Sequence, residues 1–169
     1  MRYSGTTALA AAVLALPASA ASAQGTASPT VAYMCGLLTK AQVEKVINRK
    51  LYSEGEGVLL ASGAVCDWGA GEAQVMLFTG PKADANWEAM LERFGHKGIK
   101  RTPVPGLGAP AYVVYPPPKN EYQETVAMVV LKTAPGTLVV SSAVNKGEPA
   151  QKALGPTIEL VKLVLPKLK

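Results

Sequence analysis

The segment "TVAMVVLKTAPGTLVVSSAV", Thr125 to Val144, separates the candidate architectures of this chain. Two runs rich in valine and leucine flank "TAPGT", a turn signal, so they are expected to pair as an antiparallel hairpin. A strand handed to its neighbour through so short a turn leaves no room for the crossover helix of a parallel sheet. The pattern repeats upstream: "AVCDW", then "GAG", then "AQVMLFTG" reads as two short strands joined by a tight turn. The second of these, Gln74 to Thr79, is apolar on both faces, which places it inside the sheet. Cys66 and Trp68 are two apart and point to one face.

Three helices are expected around these strands. Thr39 reads as an N-cap with Gln42 completing a capping box, and Val43, Val46 and Ile47 recur at helical spacing, so the first helix spans about Lys40 to Asn48. Asp84 or an earlier residue opens the second, whose Trp87, Met90, Leu91 and Phe94 form one apolar stripe that Gly95 is placed to end. That stripe reads as core packing. Six prolines between Pro103 and Pro118 enclose a strand at about Ala111 to Tyr115, which must lie at an edge or keep its prolines at its ends. The last helix begins near Pro149 or Ala150, with Leu154, Ile158, Val161, Leu165 and Leu168 as its stripe. Pro156 either kinks it or occupies the opening turn of a second segment. Lys162, Lys167 and Lys169 sit near its C-terminal end, where the helix dipole favours cations. The order α-β-β-α-β-β-β-α implies an α+β domain, an antiparallel sheet of about five strands packed by three helices.

The first 23 residues carry Arg2, an apolar run from Ala8 to Leu16, Pro17 and then "ASAASA". This is the pattern of a secretory signal peptide cut after Ala20 or Ala23. The apolar run, about nine residues, is half of the roughly 20 that a membrane span requires. Residues 24–34 then read as a flexible leader and residues 35–169 as a single domain. A soluble periplasmic or secreted protein is expected.

Only two cysteines occur, Cys35 and Cys66. Lipidation would need Cys35 directly behind the apolar run, but it follows "VAYM". Zinc would need paired ligand spacing, and the one histidine and scattered carboxylates show none, so no metal site or cofactor is assigned. In an oxidising compartment two lone cysteines most simply pair, the other reading being two buried thiols.

Several motifs together resemble a family of small exported bacterial proteins of unknown function, many of them lipoproteins. They are "CGLLTKAQV" from Cys35, "CDW" from Cys66, "PGLGAPAY" from Pro105, and the closing lysine-bearing helix. The resemblance covers residues 35 to about 168. It implies a Cys35–Cys66 disulfide and an exported α+β domain, and it brings no catalytic residues. This chain departs from those relatives in lacking the lipidation signal.

The full chain carries a net charge of +5, distributed unevenly. Between Gln24 and His96 stand six basic and eight acidic residues; between Lys97 and Lys169 there are ten and four. A basic half could steer an anionic envelope polymer, but its lysines are dispersed and lack the interleaved aromatics of a nucleic-acid groove. Nucleic acid is therefore not expected as a partner.

Signs of catalysis are sparse. His96 is the sole histidine, placed to bond carbonyls at a helix end. No Gly-x-Ser-x-Gly elbow occurs around Ser62, and "GLGAPA" leads into a strand where a dinucleotide fingerprint needs a helix. The pairs Glu54/Glu56 and Glu121/Glu124 read as solvated loop charge. The chain is thus expected to be a non-enzymatic binding module for an envelope protein or anionic envelope polymer, with Tyr112, Tyr115, Tyr122, Lys100 and Arg101 as its partner surface. The alternative is a small exported hydrolase whose carboxylates meet only in the fold. An enzyme should show a concave pocket with converging polar groups and a perturbed acid, a binding module an open tyrosine-bearing face.

Overall fold

The computed structural model describes residues 29–93, 98–117 and 125–168. Among these residues seven strands form one antiparallel sheet: β1 (Glu56–Leu60), β2 (Gly63–Trp68), β3 (Ala73–Thr79), β4 (Thr102–Pro103), β5 (Ala111–Val114), β6 (Val126–Thr133) and β7 (Gly136–Ala143). Their spatial order is β1-β2-β3-β7-β6-β5-β4. The described residues also form four helices: α1 (Val31–Gly36), α2 (Lys40–Ile47), α3 (Ala83–Arg93) and α4 (Leu154–Val164). The last is bracketed by 3-10 turns at Ala150–Ala153 and Leu165–Lys167. The α+β class and the antiparallel sheet are as expected, but seven strands and four helices stand where about five and three were expected.

Each additional element lacks a readable pattern. β1 lies in a Gly-rich stretch, β4 is two residues long and contains Pro103, and α1 has only six residues, too few to display a period. α1 also corrects the leader. Residues 31–34, read as flexible, are helical: the Thr30 hydroxyl accepts the Tyr33 N–H at 3.1 Å, and Met34 is fully buried. Residues 1–23, expected to be a signal peptide, lie outside the described residues.

The expected hairpin is present, β6 pairing with β7 from Val126↔Ala143 to Thr133↔Gly136. β3 pairs with β7 on its other side, so β3 is interior, as its two-faced apolar pattern requires. Between β2 and β3 the chain turns through Gly69, Ala70 and Gly71, all with positive φ, and the Asp67 carboxylate accepts the Gly71 N–H at 2.7 Å. Glycine carries the left-handed backbone on both sides of Ala70 without a Cβ clash.

Alternation along the strands gives the sheet two apolar faces. On the first, Cys66, Trp68, Val75, Leu77, Val129, Leu138 and Val140 pack against α1, α2 and α4. On the second, Met76, Phe78, Val114, Val130 and Val139 meet Trp87 and Leu91 of α3. The helix stripe is therefore core, as expected; Phe94 and Gly95 lie outside the described residues.

A Cys35–Cys66 disulfide, with Cα atoms 5.1 Å apart, ties α1 to β2 on the first face. Beside it the chain runs tight. A Cβ at Gly57 would collide with Val31, so glycine lets α1 lie on β1. α2 starts at Thr39 with the full capping box, its hydroxyl accepting the Gln42 N–H at 3.2 Å while Gln42 accepts the Thr39 N–H at 2.9 Å. It ends at Asn48 in the left-handed region.

α4 resolves the proline alternative: Pro156 occupies its opening turn, where the missing donor costs little. Thr157 donates to the Ala153 carbonyl at 2.8 Å and lies 2.8 Å from the Ser142 hydroxyl, so this buried polar pair is satisfied. The expected stripe is corrected. Thr157, Leu160, Val161 and Val164 are buried, whereas Leu154, Ile158, Leu165 and Leu168 are only partly covered. Lys167 donates to the Leu37 carbonyl at the end of α1, at 2.5 Å, and Lys169 lies outside the described residues. No helix among the described residues is long and apolar enough to cross a membrane.

Candidate functional site

On the second face α3 leaves a cleft of ≈ 500 Å³ against the β4–β5–β6 side of the sheet. Its floor is Tyr112 of β5 and Val130 of β6, with Pro103 and Pro110 at the margin. Register explains the floor. Tyr112 pairs with Val130 on one side and Pro103 on the other, so the three share one face and form a continuous apolar step toward the edge. α3 contributes Asp84 and Glu88 at a spacing of four, one helical turn on one side of the helix.

Two ion pairs stand at the cleft. Lys132 of β6 reaches Asp84 at 2.5 Å, and the Thr137 hydroxyl of β7 donates to the other Asp84 oxygen at 2.5 Å. Arg101 pairs with Glu88 and lies over the Tyr112 ring, 5.0 Å from its centroid. Beneath, the buried Trp87 indole N–H donates to the Tyr112 hydroxyl at 3.1 Å. Arg101 thus stacks on the Tyr112 floor by cation–π contact, while the buried Trp87 braces the Tyr112 hydroxyl from beneath without reaching the cleft surface.

The charge states follow from these contacts. Asp84 is held below the usual carboxylate range by its hydrogen bonds from Lys132 and then Thr137, against a smaller opposing effect of burial. The Lys132 ammonium is raised by the same partner. Burial pushes the Tyr112 phenol up, partly opposed by the Trp87 hydrogen bond and the Arg101 charge. At neutral pH Asp84 is ionised, with no proton to give as a general acid. The cleft offers recognition surface: an aromatic and aliphatic floor, cations and anions in equal number around it, and a phenol that can turn as donor or acceptor.

Among the expected surface residues, the structure brings Arg101 and Tyr112 together at this cleft. Lys100 is exposed next to them in the chain. Tyr115 packs partly buried against the first-face core, and burial raises its pKa. Tyr122 lies outside the described residues, as do His96, Glu121 and Glu124. Glu54 and Glu56, just before and at the start of β1, are exposed on the opposite edge of the sheet from the cleft. Of Asp84, Glu88, Lys132 and Thr137, the sequence marked only Asp84, as a helix start, and none as a site residue. Only the spacing of Asp84 and Glu88 on one side of a helix was a local signal; Lys132 and Thr137 join them through strand register. No group of three or more histidine, cysteine, aspartate or glutamate residues placed to hold a metal occurs among the described residues.

No protein-family model, no curated protein and no solved structure matches this chain.

Proposed function

We propose that this protein is an exported, non-enzymatic binding module whose partner site is the cleft between α3 and β4–β6. The observation that carries this reading is Arg101 stacked on Tyr112, whose hydroxyl the buried Trp87 holds in place, on an open apolar floor. Tyrosine and arginine are among the residue types that supply most binding energy at protein interfaces, because they combine large area with a polar end. Arg101 and Lys132 are each engaged by a carboxylate, which favours a protein segment with mixed charge over a uniformly anionic polymer. A hydrolase built on carboxylates would need one held protonated, and Asp84 is shifted the opposite way.

The export part of the reading rests on Arg2, the Ala8–Leu16 run and the small residues through Ala23. Kinship with small exported bacterial proteins belongs to the same proposal and rests on the Cys35, Cys66 and Pro105 motifs. A disulfide as the only use of both cysteines agrees with an oxidising compartment.

Affinity capture from an envelope extract tests the site. Wild-type protein is expected to recover a protein that a Tyr112→Ala, Arg101→Ala variant of unchanged fold does not. Equal recovery by both, or none by the wild type, sinks the reading. Intact mass of the exported protein tests the compartment: the expected chain starts at Ala21 or Gln24 without added acyl mass.

A further inference from the structure

The two edges of the sheet differ in what they offer a strand. At β4 the Val104 N–H bonds the Ala111 carbonyl at 3.0 Å, and Thr102 pairs with Val113, so both turn inward. The residue facing outward between them is Pro103, which has no N–H to give. This edge is blunted.

β1 is not. Inward-bonded and outward-facing residues alternate along an antiparallel strand. The Thr79 N–H bonds the Ser62 carbonyl at 2.8 Å, which sets the phase: Ala64, Cys66 and Trp68 bond toward β3, leaving Gly63, Val65 and Asp67 to bond toward β1. Their partners Leu60, Val58 and Glu56 therefore use their hydrogen-bonding groups inward, and Gly57 and Leu59 direct theirs away from the sheet. β1 has neither proline nor lysine to guard it. Its Val58 and Leu59 are 59% and 65% exposed, and with Tyr52 just before the strand they are the exposed large hydrophobics among the described residues.

We infer that β1 is a self-pairing edge: two copies of this chain join antiparallel about a two-fold axis through Val58, making one continuous sheet. The phase fits. With Val58 opposite Val58 of the partner subunit, Gly57 faces Leu59 of the partner subunit, and these two symmetry-related pairs hold the outward donors and acceptors that β2 leaves unused. Each Glu56 then lies opposite Leu60 of the partner subunit. Four residue steps, about 13 Å, separate the two carboxylates, more than the screening length of about 8 Å at physiological salt. Pairing of β1 with β4 in head-to-tail growth is disfavoured by Pro103, so the symmetric arrangement closes at two. One five-residue strand buries little, which makes this a weak, concentration-dependent dimer. The inference does not depend on the cleft.

Sedimentation velocity from low micromolar to near-millimolar protein tests it. Wild type is expected to shift from monomer to dimer, and Leu59→Pro, which removes the outward donor and the exposed leucine but no inward hydrogen bond, to stay monomeric with an unchanged urea midpoint. Val58→Lys and Val58→Glu are each expected to be monomeric alone, since like charges then meet on the axis, and to form a heterodimer when mixed. A wild type that stays monomeric throughout, a dimer that survives Leu59→Pro, or folded lysine and glutamate variants that fail to associate on mixing overturns the inference.

Discussion

The two faces of the sheet are built to different standards. Among the described residues the core shared with α1, α2 and α4 holds 24 buried apolar residues, the disulfide and a satisfied Ser142–Thr157 pair; the core shared with α3 holds eight. The first face resembles a conventional core. Among the described residues the second carries a single helix on a wide sheet, its flank finished by ion pairs around Tyr112. Stability is thus concentrated where the sheet is closed, and the surface suited to recognition lies where closure stops. A sheet wider than the one helix on its second face leaves a cleft on that side.

The largest effect is expected from the first face. Replacing Cys35 and Cys66 by serine removes a link between residues 31 apart in sequence, expected to cost about 3–4 kcal/mol by the chain-entropy relation. Urea unfolding monitored by Trp68 and Trp87 fluorescence measures it. Paired truncations compare the faces directly. Leu160→Ala, at a fully buried α4 position, is expected to cost about 3 kcal/mol, and Leu91→Ala on α3 about 2 kcal/mol, because the thinner face collapses more readily around a void. Equal costs would erase the distinction.

Smaller effects belong to the cleft. Tyr112→Phe leaves the buried Trp87 indole N–H without its acceptor and is expected to cost about 1–2 kcal/mol in the same assay. Asp84 gives the smallest signal and a defined sign. Its folded pKa lies below its unfolded value, so its contribution is full above about pH 4 and is lost as pH falls through the lowered folded value. Asp84→Asn should therefore flatten the stability profile below about pH 4 and leave its shape unchanged between about pH 5 and 8. Half-exposed, the pair is screened by solvent, and added salt should shrink the difference further.

Local chemistry was legible in the sequence wherever one residue acts on its near neighbours. The Thr39–Gln42 capping box, the glycines around Ala70, and the tight β6–β7 turn all appear where spacing placed them. The disulfide followed from there being only two cysteines and from the motif resemblance. What failed was pattern without contrast. In α4 six of the eight residues from Ile158 to Leu165 are apolar, so hydrophobicity could not choose between the stripe through Leu154 and the one through Thr157; Ser142 of β7, 2.8 Å from the Thr157 hydroxyl, favours the latter. The cleft was half visible. Arg101 and Tyr112 were marked by composition, but Lys132 meets Asp84 only because β5, β6 and β7 fall in register beside α3, a fact set by pairing across the sheet.

Native-state hydrogen exchange in increasing sub-denaturing urea tests the division between the faces most directly. Amides of Trp87, Met90 and Leu91 in α3 are expected to exchange through a local opening of low free energy that persists when the Cys35–Cys66 bond is reduced. Those of Leu160, Val161 and Val164 in α4 are expected to exchange only on global unfolding and to lose protection on reduction. Protection of α3 equal to that of α4, or opening of α4 first, would contradict the account.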